Sequence, residues 1–210
     1  MMKKLFFTIS ITLLFVQAYS QRTWFNADFS TEIVKDLEFS VSPEIRFKDN
    51  FELNEYFLQT ALEYKFHKYF KLGAGYRFGY NINGDDEHES FGRFHVDAKT
   101  GYKWKNFNPK FRLRFTNADD FADDNEATNY LRYKFELEYK IKKLDLEPYV
   151  VSEWYQDLDA SEFSKQRLEG GLMYKVNKHH KIGAYYRVNK YLNSTKENRN
   201  IVGLTYKFSL

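Results

Sequence analysis

Residues 70–82 read F-K-L-G-A-G-Y-R-F-G-Y-N-I, and this run limits the possible folds more than any other feature of the chain. Phe70, Leu72, Ala74, Tyr76, Phe78, Tyr80 and Ile82 alternate with Lys71, Gly73, Gly75, Arg77, Gly79 and Asn81. A two-residue period kept over such a length requires an extended strand with one apolar and one polar face; a helix would mix these residues on all its sides. Aromatics stand towards both ends of the apolar face, with small or aliphatic residues between them. That is the pattern of a strand that crosses a membrane, with a lipid-facing band between two aromatic girdles.

The rest of the chain repeats the design. Leu37, Phe39, Val41, Pro43, Ile45 and Phe47 alternate with Glu38, Ser40, Ser42, Glu44, Arg46 and Lys48. Leu131, Tyr133, Phe135, Leu137, Tyr139 and Ile141 alternate with Arg132, Lys134, Glu136, Glu138 and Lys140. Eleven strand-like runs can be traced from Trp24 to Leu210. From His67 onward the connections alternate between short (His67-Lys68, Lys105–Asn108, Lys142-Lys143, Asn177–His180) and long (Asn83–Ser90, Ala118–Glu126, Asp157–Ser164, Asn193–Asn198). Short periplasmic turns and longer extracellular loops give this alternation, and it places the C-terminus on the periplasmic side. The fold class is therefore all-β: a transmembrane, antiparallel up-and-down β-barrel of about 10–12 strands. Bacterial barrels use an even number, so the expectation is ten or twelve strands, with twelve favoured.

Composition agrees. A mean hydropathy of −0.66 is too low for a helical membrane protein, and no second stretch is long and apolar enough for a membrane helix. A transmembrane barrel tolerates it, because half of each strand faces a polar interior. The chain has no cysteine, which excludes disulfides and thiolate metal sites. The net charge is +3, of which Lys3 and Lys4 supply two, so a nucleic-acid partner is not expected. Lys3-Lys4, the apolar run Leu5–Val16 and the small residue Ser20 read as a secretory signal over residues 1–20, cleaved near Ser20/Gln21. The alternative is a membrane anchor, for which the apolar stretch is short. A single barrel domain then fills residues 21–210, located in the outer membrane of a Gram-negative bacterium.

Alternation by itself does not say which face points outward. A soluble, lipocalin-like periplasmic barrel also alternates, with its apolar set inside. An interior of about eight strands holds only a modest set of side chains or one small ligand. The apolar bulk of these runs exceeds that and suits a lipid-facing belt. Tyr206, Phe208 and Leu210 alternate to a hydrophobic terminus that resembles the C-terminal signal read by the barrel-assembly machinery, with Leu in place of the usual Phe. Outer-membrane lipids and that machinery are the expected partners, and no protein partner can be named.

A narrower resemblance rests on Trp24, on Ile45-Arg46-Phe47, on Tyr64-Lys65-Phe66 and on Leu72-Gly73-Ala74-Gly75-Tyr76-Arg77. These motifs are similar to those of a Bacteroidetes-type outer-membrane barrel family defined as a domain of unknown function (DUF). The resemblance implies fold and location over essentially all of residues 21–210 and brings no catalytic residue with it.

The polar faces gather many charges. Arg46, Arg77, Arg93, Asp97, Lys99, Arg112, Arg114, Arg132, Glu136, Glu138, Glu153, Arg167, Glu169 and Arg187 are the candidate lumen-facing set. Both signs are interleaved, which favours pairing across neighbouring strands over a filter of one sign. The expected function is a narrow or charge-filled barrel, either a small porin-like passive channel or a structural or ligand-contacting membrane protein. An outer-membrane lipid-modifying enzyme is the alternative. It would need Ser and His with an orienting acid. His95, near Asp97 and Arg93, is the one histidine read within a strand, and no serine motif accompanies it. The acids Asp119, Asp120, Asp123, Asp124 and Glu126 lack the ordered spacing of a calcium loop and read as a solvated loop. No catalytic residue, cofactor or metal is expected.

Overall fold

The computed structural model describes residues 22–82, 88–120 and 128–210. The expected secretory segment, and Asp123, Asp124 and Glu126 of the acidic loop, lie outside them. Eleven strands occur among the described residues: β1 (Arg22–Val34), β2 (Leu37–Phe47), β3 (Leu53–His67), β4 (Phe70–Ile82), β5 (His88–Gly101), β6 (Phe107–Asp120), β7 (Thr128–Tyr139), β8 (Leu146–Asp157), β9 (Glu162–Lys175), β10 (His180–Tyr191) and β11 (Arg199–Ser209). Each pairs antiparallel with its neighbours in the chain, and β1 pairs with β11 to close the barrel.

The even count expected from the sequence is not met. In an odd meander the first and last strands run the same way, so closure needs one parallel ladder. Here it runs from Arg22–Ile201 to Ser30–Ser209. Closure satisfies every edge, which a membrane demands, and a parallel pair does this at slightly lower stability per residue. Side-chain contacts and a further backbone hydrogen bond reinforce the seam. Asn26 Nδ2 donates to Thr205 Oγ1 at 2.9 Å, Leu210 N donates to Ser30 O at 3.1 Å, and Phe29 meets Tyr206 edge-on at 6.0 Å. The Arg22 end of β1 therefore lies with the connections 48–52, 158–161 and 192–198, and the C-terminus lies with the turns on the other side.

The connections differ less in length than the sequence reading holds. The β8–β9 link is only residues 158–161, because β8 and β9 reach further than their apolar runs. The β7–β8 link extends over residues 140–145 rather than Lys142-Lys143 alone. All three prolines lie inside strands, Pro43 in β2, Pro109 in β6 and Pro148 in β8. At Pro43 the β1–β2 ladder skips from Asn26–Glu44 to Phe29–Val41, which suits a residue with no N–H to donate.

The apolar faces point outward. In β4, Phe70, Leu72, Tyr76 and Phe78 are exposed while Gly79 is buried. The same holds around the barrel for Phe25, Leu62, Val96, Phe135, Leu172 and Leu204. This is the reverse of a lipocalin-like barrel.

The inside is not purely charged. Trp24, Tyr185 and Ile201 form a buried cluster, with Tyr149 packed against it. Tyr185 covers Gly203, and Tyr149 covers Gly171. A Cβ on Gly203 would stand 2.0 Å from Tyr185 Cζ, and one on Gly79 would meet Phe57 Cβ at 2.4 Å and the Tyr56 carbonyl oxygen at 2.5 Å. The second clash involves backbone and cannot be relieved by swinging a side chain. Gly79→Ala is expected to lower stability by about 1–3 kcal/mol in denaturant titration of the detergent-folded protein. Gly170→Ala is the control, since a Cβ there meets nothing within 4 Å, and it should not lower the midpoint.

Candidate functional site

The two-residue period turns each strand's polar set inward, and the strand register stacks these sets into rows around the lumen. One row runs Lys99–Arg112–Lys134–Glu153–Arg167–Asn189–Arg199 through successive directly opposed pairs. Like charges directly opposite one another repel. This row carries a single carboxylate, and the surrounding cations turn onto it. Glu153 is 1 % exposed. Its Oε1 accepts from Arg112 Nη2 at 2.6 Å and from Arg132 Nη2 at 2.8 Å. Its Oε2 accepts from Tyr155 OH at 3.1 Å and Arg167 Nη1 at 3.2 Å. One side chain thus ties strands β6, β7, β8 and β9 together across the interior.

Neighbouring pairs thicken this layer. Asp97 is 3 % exposed and takes both nitrogens of the Arg114 fork, Nε at 2.6 Å and Nη2 at 2.7 Å. Near the seam, Arg46 donates to Glu44 at 2.6 Å and Glu55 at 2.7 Å, and its guanidinium lies 3.8 Å above the Trp24 ring. Arg187 donates to Glu169 at 2.6 Å and stands 4.9 Å from the same ring. Tyr149 OH donates to Glu169 at 3.0 Å. Arginine suits this layer, because its planar fork both pairs with carboxylates and stacks on rings.

Two cavities lie on either side. The one at the short-turn end, about 1030 Å³, reaches from Tyr69 and Lys103 down to Arg112 and Lys134. Its acids are shared between lysines. Glu63 accepts from Lys71 at 2.6 Å and from Lys99; Glu136 accepts from Lys134 at 2.6 Å and Lys110 at 3.0 Å; Lys110 also binds Glu138. The other, about 580 Å³, opens at the opposite end beside Asn193 and Ser194 and reaches down to Arg114, Arg132 and Tyr155. No residue lines both cavities. Among the described residues, lysines and arginines outnumber carboxylates in each lining, ten to three at the short-turn end and six to one at the other. The sequence reading of interleaved signs holds along β7, where Arg132 and Lys134 precede Glu136 and Glu138, but not along β6, where Lys110, Arg112 and Arg114 follow one another, nor among the described residues lining each end.

Arg77 and Arg93, directly opposed on β4 and β5, face the smaller cavity. The functional residues that strand-by-strand reading misses are Trp24, Tyr155 and Thr116, which are inward but uncharged. Counting outward from the tight turns would have placed all three beside the charged rows. The histidines are also distributed differently. His88 and His180 open β5 and β10, and His67 closes β3. His180 Nδ1 is 2.6 Å from Tyr206 OH. His95 is buried under the Gly75 backbone, and its neighbour Asp97 is occupied by Arg114. Asp119 and Asp120 belong to the β6 ladder, not to a loop.

Comparison with solved structures finds the same fold. LpxR from Salmonella typhimurium aligns with a TM-score of 0.51 at 8% identity, covering 82% of this chain and 83% of that one. An anion-selective porin from Comamonas acidovorans aligns with a TM-score of 0.44 at 10% identity, covering 87% of this chain and 54% of the porin. No curated protein sequence matches. A family model described as "Protein of unknown function (DUF2490)" matches residues 21–200.

Proposed function

We propose, from the premise that the chain belongs to the DUF2490 family of proteins of unknown function, that it is an outer-membrane barrel closed at mid-height. On this reading it is a passive, non-catalytic protein that does not conduct at rest, and its cationic long-loop end meets anionic solutes. The connections 48–52, 158–161 and 192–198 face outward, and the short turns and C-terminus face the periplasm.

The observation that carries the closed lumen is the Glu153 cross-link, a buried carboxylate bound by Arg112, Arg132, Arg167 and Tyr155 between two cavities that share no lining residue. Small barrels fill their interiors in this way, and wide ones hold a water channel. The non-catalytic reading is supported at His95, whose nearest acid in sequence, Asp97, gives both oxygens to Arg114 and is not available to orient an imidazole.

Planar-bilayer recording tests the closure. The purified protein is expected to give no discrete conductance steps. The triple variant Arg112→Ser, Arg132→Ser, Glu153→Ser removes the cross-link together with its charges and is expected to give them. Steady unitary steps from the unaltered protein would overturn the closed lumen, and phospholipid turnover by it would overturn the non-catalytic reading.

A further inference from the structure

We infer that the long-loop end of the lumen is a binding site for a small phosphate-type oxyanion, either inorganic or carried as a phosphate monoester. The inference deepens the proposed contact with anionic solutes. It does not depend on whether the lumen conducts.

The strand register sets the charge. Arg77 stands directly opposite Arg93, and Arg114 directly opposite Arg132. Two such like-charged pairs on one wall are unfavourable unless something negative sits among them. Asp97 and Glu153 answer for Arg114 and Arg132. They do not answer for Arg77 or for Lys165. Arg77 Nη2 donates to the neutral Gln59 Oε1 at 3.0 Å, and its guanidinium lies 3.8 Å from the Phe57 ring centre. Lys165 Nζ lies 3.9 Å from the Tyr155 ring centre. Neither makes an ion pair with a carboxylate of the described residues. The one acid among the described lining residues, Glu162, is exposed at the rim and accepts from Asn193 Nδ2 at 3.0 Å.

A second observation is independent of charge. Thr116 lines this cavity, is 8 % exposed, and its Oγ1 is buried with no hydrogen-bond partner among the described residues. A buried hydroxyl without a partner carries a desolvation cost that a bound acceptor removes. The lining therefore offers donors: guanidinium forks, an ammonium group and hydroxyls. Phosphate presents several acceptor oxygens and more than one negative charge, which suits this set better than a single carboxylate does. The volume of about 580 Å³ and the floor of Arg114, Arg132 and Tyr155 fit a small molecule, not a polymer.

Calorimetric titration of the full detergent-folded protein with sodium pyrophosphate tests this, with heat-modifiable gel mobility confirming that each variant is folded. One saturable site is expected, weakening as salt rises. The double variant Arg77→Gln, Lys165→Gln should weaken it by at least about tenfold, since each lost contact is a hydrogen bond to a charged group. Arg77→Lys should retain most of the binding, Thr116→Val should weaken it severalfold, and Lys71→Gln in the opposite cavity should leave it unchanged. Absence of saturable binding to the unaltered protein, or equal losses in the double variant and Lys71→Gln, would overturn the site. Competition distinguishes the source of the phosphate. Displacement by glucose 6-phosphate alone marks a free phosphate ester, and displacement by phosphatidic acid in the micelle marks a lipid headgroup. Conductance of the unaltered protein together with intact pyrophosphate binding would remove the closed lumen and leave the site standing.

Discussion

Glu153→Ala is expected to lower the unfolding free energy of the detergent-folded barrel by about 3–5 kcal/mol, the cost of removing one partner from a buried ion pair. The reason is asymmetry. The glutamate gains little net energy from each arginine, because all of them were taken out of water. Removing it leaves Arg112, Arg132 and Arg167 facing one another with Lys134 alongside in the same row. Glu153→Gln keeps an acceptor but not the charge, and should fall between. The comparison is Lys71→Ala, which breaks an ion pair of 2.6 Å to Glu63 at a position where Lys71 is 41% exposed. Water takes over at such a site, and the loss should be under about 1 kcal/mol. Urea titration followed by the unboiled gel band measures both. If Glu153→Ala costs no more than Lys71→Ala, the layer at mid-height does not hold the barrel together.

The second large effect lies on the opposite face. Leu204 is 48% exposed on the outside of β11, directly opposed to Ala184 and Phe25. Leu204→Arg should destabilise the protein by about 2–4 kcal/mol, the cost of an arginine facing lipid at the bilayer midplane. Ile33→Arg, near the end of β1 and equally exposed, should cost about 0–1 kcal/mol, because there the side chain reaches the interface. In water, an exposed leucine changed to arginine would stay within about 0.5 kcal/mol. Measured in lipid bilayers, equal effects at the two positions would contradict a lipid belt centred on Leu204.

The two variants probe information of different kinds. Where Leu204 points is settled by its own strand, since T-Y-K-F after it and I-V-G before it alternate in step. What Glu153 does is not settled by its strand. In β8 it is one of two glutamates on the same face, six residues from Glu147, and nothing local distinguishes them. Glu147 meets Lys181 at 2.5 Å and Lys140 at 3.6 Å at the open short-turn end, while Glu153 meets three arginines in the layer between the two cavities. Their height in the barrel and the register of β7 and β9 make that difference.

The sequence by itself determined the extended strands, their order along the chain and which residues of each share a face. All of these follow from the pleat and from residues adjacent in the chain. Only the tertiary structure decided that the count is odd and the seam parallel, that inward Tyr185 and Tyr149 pack over glycines, and that cations outnumber acids among the described residues lining both cavities. Each of these depends on which residues of different strands share a row. Register is a relation between strands fixed by turns and closure together, so no single strand carries it.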